Sequence, residues 1–152
     1  MKTSKRSLLA AGVGAAAAAA IAVPLALTPA DAVTNTTTLE VDMDGASEVP
    51  PADANGTGTV FLFTHESDPG ALCYVILVDQ IGTPNAAHIH PGAEGVVGDP
   101  VVPLKAPRDG DSAGCVHTRP GLVARILNNP QNFYINVHNA RFPGGAIRGQ
   151  LG

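Results

Sequence analysis

From Thr38 onward, hydrophobic positions recur with a period of two in short stretches broken by glycine and proline. Leu39 and Val41 alternate with Glu40 and Asp42, which predicts a half-buried strand. After the turn formers Pro50-Pro51 and Asn55-Gly56, residues 59–64 predict a second strand, and residues 71–79, apolar on both faces, a central one. Residues 85–90 and 101–104 add two more, each bounded by proline. Residues 122–127 lie between Pro120 and Asn128-Asn129-Pro130 and predict the one helical segment, with Leu122, Ile126 and Leu127 inward. Phe133, Ile135 and Val137 then alternate with Tyr134, Asn136 and His138, the clearest period of two in the chain, and after Pro143-Gly144-Gly145 residues 146–151 form a last strand. These elements predict an all-β protein: an antiparallel, Greek-key-like β-sandwich of about seven strands, with one short helix before the penultimate strand. No alternation of strands with long helices supports a parallel sheet.

The first 32 residues follow another rule. Lys2, Lys5 and Arg6 precede an alanine-rich apolar run ending at Ala30-Asp31-Ala32, the pattern of an export signal cleaved after Ala32. Gly12, Gly14 and Pro24 interrupt the run and weigh against a membrane anchor. Residues 33–37 are expected to form a flexible leader and residues 38–152 the folded domain. The expected location is secreted or on the exterior of the cell envelope, with no membrane span in the mature chain.

Removing residues 1–32 takes Lys plus Arg from 9 to 6 and Asp plus Glu from 13 to 12, leaving a net charge of −6. An acidic surface of that size disfavours nucleic acid and anionic membranes as partners. Cys73 and Cys115 are the only cysteines, and in an exported chain an even number predicts a disulfide rather than thiolate metal ligands. With no tryptophan and four phenylalanines, the core must rest on aliphatic side chains, and a cross-link would compensate for their modest volume.

The chemistry concentrates in His88-Ile89-His90 and Asn136-Val137-His138. Strand alternation sends His88 and His90 to one face, and His138 shares the outward face of its own strand. Three imidazoles on one surface suit copper or zinc. The same rings could instead hydrogen-bond to turn backbone and hold the sheet edge, and sequence alone ranks that structural role first. Gly92, Gly95 and Gly98 read as positions of positive φ in a winding turn, since no following helix or Lys-Ser/Thr pair makes them a phosphate loop. Arg148 is expected to pair with a carboxylate such as Asp79 or Glu94. No serine stands in a nucleophile-elbow context, so the reading leans away from an enzyme and assigns no catalytic residue.

Ala87-His88-Ile89-His90-x-Gly92-x-x-Gly95-x-x-Gly98, Asn136-Val137-His138 and Gly144-Gly145-x-Ile147-Arg148-Gly149-Gln150-Leu151 occur in one chain with Leu72-Cys73-Tyr74 and Gly114-Cys115-Val116. Together they resemble the CHRD domain, a module named after chordin and also found alone in exported bacterial proteins. The resemblance covers about residues 38–151 and implies an extracellular β-rich module; the leading reading of the chain is that such a module engages an extracellular protein or surface polymer through exposed loops and a sheet face. A weaker similarity, carried by the His-x-His strand and the later Val-His, is to the copper site of copper/zinc superoxide dismutases. Those enzymes use a fourth copper histidine, for which this chain offers His65 and His117 in expected loops. The sequence therefore carries two functional readings: a non-enzymatic exported binding module and, as the alternative, a protein that binds copper or zinc through His88, His90 and His138.

Overall fold

The computed structural model describes residues 38–65 and 67–152; the expected signal segment, its cleavage point at Ala32 and the leader lie outside the described residues. The described residues form eight strands: β1 Thr38–Asp44, β2 Thr57–His65, β3 Asp68–Asp79, β4 Pro84–Pro91, β5 Val102–Leu104, β6 Asp111–His117, β7 Phe133–Asn139 and β8 Ile147–Gln150. One helix, α1 Pro120–Asn128, and a 3-10 turn, Pro130–Asn132, precede β7. All pairings are antiparallel, in the order β5-β4-β7-β8-β1-β2-β3-β6.

This is the expected antiparallel all-β architecture, bent into a flattened near-barrel. The halves β5-β4-β7-β8 and β1-β2-β3-β6 are joined through a single residue pair, Asp44 opposite Arg148. Gly149 permits that junction, because a Cβ there would stand 2.7 Å from Val41 Cγ1 and 2.9 Å from Met43 Cγ. At the opposite seam, β5 and β6 have no ladder between them. Side chains close it instead: the Lys105 amide donates to the Tyr74 hydroxyl at 2.8 Å, and the Ser112 hydroxyl to the Lys105 carbonyl at 2.8 Å. Satisfying edge groups in this way blunts two strands that would otherwise offer open pairing surfaces.

Both halves feed one core. Val60, Leu62, Leu72 and Ile76 from one meet Ala87, Ile89, Ile135 and Val137 from the other, all fully buried. The period-2 alternation accounts for these positions. The helix is phased differently from expectation: Val123 and Ile126 are its buried residues, while Leu122 and Leu127 pack only partly against the core. It opens with Pro120 at its first position, where the missing N–H costs nothing, and stops before Pro130.

The eighth strand, β6, departs from the expected seven. Its sequence, Asp-Ser-Ala-Gly-Cys-Val-His, carries almost no apolar signal, and it becomes a strand by pairing with β3 from Ala71 opposite His117 to Leu77 opposite Asp111. Within that pairing Cys73 stands directly opposite Cys115, and the two form the expected disulfide.

Candidate metal centre

The three histidines converge. On β4, His88 and His90 lie on the face opposite Ala87 and Ile89; on β7, His138 shares its face with Tyr134 and Asn136, opposite Ile135 and Val137. The register sets His88 opposite Asn136 and His90 opposite Tyr134. One nitrogen from each ring falls within 4.8 Å of the others, making a group of donors that could hold a metal ion.

These rings face away from the apolar core without facing open water. His90 is 6% exposed and His138 8%, while His88 is half-buried. The loop that follows β4 covers them, and β8 fastens it. Arg148, 2% exposed, donates to the carbonyls of Val96 and Ala93, each at 3.0 Å, and to Gln150 Oε1 at 3.2 Å. Gln150 Nε2 donates to Gly92 O at 2.8 Å. The expected carboxylate partner of Arg148 at Asp79 or Glu94 is therefore replaced by backbone carbonyls. The carboxylate whose charge it does feel is Glu48, contributed by the β1–β2 loop.

Two rings are fixed from behind. His90 Nδ1 donates to the Gly98 carbonyl at 2.8 Å and His138 Nδ1 to the Pro143 carbonyl at 3.0 Å. A carbonyl only accepts, so each Nδ1 carries the hydrogen and each Nε2 presents a lone pair. His90 Nε2 is buried and has no hydrogen-bond partner. The His88 Nδ1 and His138 Nε2 atoms are 3.1 Å apart. Tyr134 stacks on His90 with ring centroids 4.8 Å apart and planes at 8°, and the Arg148 guanidinium carbon lies 3.5 Å from the centroid of the same tyrosine. Because β7 runs between β4 and β8, the tyrosine ring is held between the imidazole and the guanidinium.

Glycine geometry builds the covering loop. Gly92 and Gly95 take positive φ, +153° and +75°, as expected. Gly98 does not; it is glycine because a Cβ there would collide with the Pro91 carbonyl. That close approach places the Gly98 carbonyl behind His90.

Burial holds His88 and His138 below the usual histidine range, chiefly by desolvation and then by the charge of neighbouring imidazoles; the Pro143 carbonyl partly offsets this for His138. Both rings are thereby kept neutral, the form that ligates. Glu48, 6% exposed, moves the other way: burial raises it to about 7 against the opposing pull of Arg148 and Asn136. Nothing in the sequence pattern marks Glu48, a lone acid before Val49-Pro50, as a buried group.

His117 is not a fourth donor. It ends β6 rather than lying in a loop, and its Nε2 is 2.9 Å from Asp68 Oδ2 in an exposed hydrogen bond.

The CHRD domain family matches residues 39–151, nearly the whole described chain. The chain belongs to the CHRD family. In this CHRD domain the motif residues divide their work: the His-x-His segment and Asn136-Val137-His138 supply the converging rings, the glycines shape the cover, and Arg148 and Gln150 tie it down. The cysteines pin the far half of the sheet. No curated protein and no solved structure matched the chain. Among the described residues no helix is long and apolar enough to cross a membrane.

Proposed function

We propose that this CHRD domain is an exported metal-binding module in which His88, His90 and His138 hold one copper or zinc ion. The observation that carries the reading is the buried, unpartnered Nε2 of His90, directed by its own Nδ1–H···O=C bond into a group with two other imidazole nitrogens. An orphaned buried acceptor is costly, about 1 to 3 kcal/mol, and an ion supplies what it lacks. Rings anchored through Nδ1 to backbone carbonyls are the usual support of metal-bound histidine. A set made only of imidazoles suits copper and zinc rather than calcium or magnesium, which take oxygen ligands. Two bonds of about 2.0 to 2.1 Å span at most about 4.2 Å. The widest separation, up to 4.8 Å, must therefore close by at least about half an ångström on loading.

The test is calorimetric titration of tagless protein with Cu(II) and Zn(II), beside His90→Ala and His138→Ala variants whose folding is checked by circular dichroism. One ion per chain, lost in both folded variants, supports the reading. No binding at micromolar metal ends it.

Contact with an extracellular protein or surface polymer has one feature in its favour. Val96 and Val97, on the loop over the centre, are 51% and 65% exposed, an apolar pair set in solvent. Cosedimentation with insoluble cell-wall polymer, reduced in a Val97→Asp variant, is the expected result for that role; equal retention of the two proteins counts against it.

A further inference from the structure

The three-histidine group, taken as the metal site proposed above and resting on that reading, is unbalanced in charge. Each of the three rings offers a neutral nitrogen, and no carboxylate or thiolate belongs to the group. A divalent ion bound there keeps its full charge in a place where two of its three ligands are buried. Buried charge of that kind must find a counter-charge.

No ligand of the group supplies one. The carbonyls of Gly98 and Pro143 already accept from the rings they support. The Tyr134 hydroxyl is engaged with the backbone of Gly98. Asn136 Oδ1 is buried without a partner, but as a ligand it would add another neutral oxygen. Glu48, the buried carboxyl of the same polar layer, interacts with Asn136, the Val49 amide and the charge of Arg148; its Oε1 is buried without a hydrogen-bond partner, but it stands outside the donor group. Arg148 donates to two carbonyls and to Gln150 Oε1, and as a cation it offers no negative charge.

Access is one-sided. His90 and His138 lie beneath the 92–98 and 140–145 loops, and His88 is the ring of the three that reaches solvent. We propose that the ion held by His88, His90 and His138 keeps a vacant coordination position on the His88 side, and that this position takes a small monodentate anion from solution. The ligand class is set by charge and by room. One anion offsets half of the divalent charge, and with His90 and His138 buried the one exposed side, at half-buried His88, suits a halide or a pseudohalide better than a substrate-sized molecule.

The experiment uses the protein loaded with one equivalent of Cu(II) and titrated with azide, in wild type and in Glu48→Gln. A saturable azide-to-copper charge-transfer band, one azide per copper, with a matching change in the copper electron paramagnetic resonance spectrum in both proteins, is the expected result. Stoichiometric copper with no azide band in either protein would overturn the inference while leaving the metal reading intact. A band in Glu48→Gln alone would also overturn it, because the Glu48 carboxylate would then be filling the position. If copper does not bind, both readings fall together.

Discussion

His88 Nδ1 lies 3.1 Å from His138 Nε2, although neither residue is the direct cross-strand neighbour of the other. His88 is opposite Asn136 and His138 opposite Ala86, so the rings meet along the diagonal of the β4–β7 pair, within the reach of long side chains. With the His138 Nδ1 hydrogen committed to Pro143, the metal-free contact has His88 donating to His138. In the proposed metal-bound form an ion would stand between these two nitrogens, with the His88 hydrogen carried on Nε2 instead.

That exchange gives the centre a definite pH response. Both imidazoles are held below 6.5, so proton competition for the ligands sets in at a lower pH than it would for exposed histidines. Copper affinity should therefore begin to weaken at a lower pH than at a site of exposed histidines. In the metal-free protein the sign for stability is the same: the unfolded chain takes protons first, so stability drops as pH falls from 6.5 toward the folded values. Calorimetry and urea midpoints between pH 5 and pH 8 check the two statements separately.

Glu48 has the opposite sign. Its folded value of about 7 stands above the ordinary 4.5, so the folded state binds the proton more tightly. Its contribution is complete below pH 4.5 and is lost as pH rises through 7. Glu48→Gln removes the cost of ionising a buried carboxyl and should stabilise the protein by about 1 to 2 kcal/mol at pH 8, with little change at pH 4. Urea midpoints of the two proteins at both pH values measure it; equal gains at pH 4 and pH 8 would contradict the assignment.

Arg148 ties β8 to the cover of the histidines. Arg148→Ala leaves the carbonyls of Ala93 and Val96 without their donor and Glu48 without its compensating charge, at a cost of about 3 kcal/mol or more. Arg148→Lys keeps the charge but cannot bridge two carbonyls, so it should recover only part of the loss. Hydrogen exchange at the amides of residues 92–98 should accelerate in both variants, more than at β2 and β3. Unchanged protection there would mean that the loop holds itself.

The Cys73–Cys115 bridge closes a separation of 42 residues, worth about 4 kcal/mol on the chain-entropy view. It joins β3 to β6, in the half of the sheet that carries none of the three histidines. A Cys73→Ser, Cys115→Ser protein should therefore lose stability and protection in β6 while still binding one metal ion per chain. Denaturation and metal titration of the same preparation separate these outcomes.

Much of this is legible along the chain. Phe133, Ile135 and Val137 announce a buried face, and their alternation with Tyr134, Asn136 and His138 announces a polar one. Where side chains are small or polar the signal fails, as in β6, which owes its strand to β3. Arg148 stands out in the sequence but points to the wrong partner, because the pattern shows a charge and not the backbone carbonyls that a folded loop brings to it.

By itself, the sequence determined the strands that carry the histidines and the face each ring would occupy, because a pleated backbone turns alternate residues to the same side whatever it pairs with. Tertiary structure alone decided that His88 and His138 would meet, since that depends on the register of two strands whose histidines stand 50 residues apart in the chain. The burial of His90 and His138 was decided there too, by the loop after β4, which Arg148, Gln150 and the tight approach of Gly98 help to hold, and by the loop after β7, which Asn139 caps.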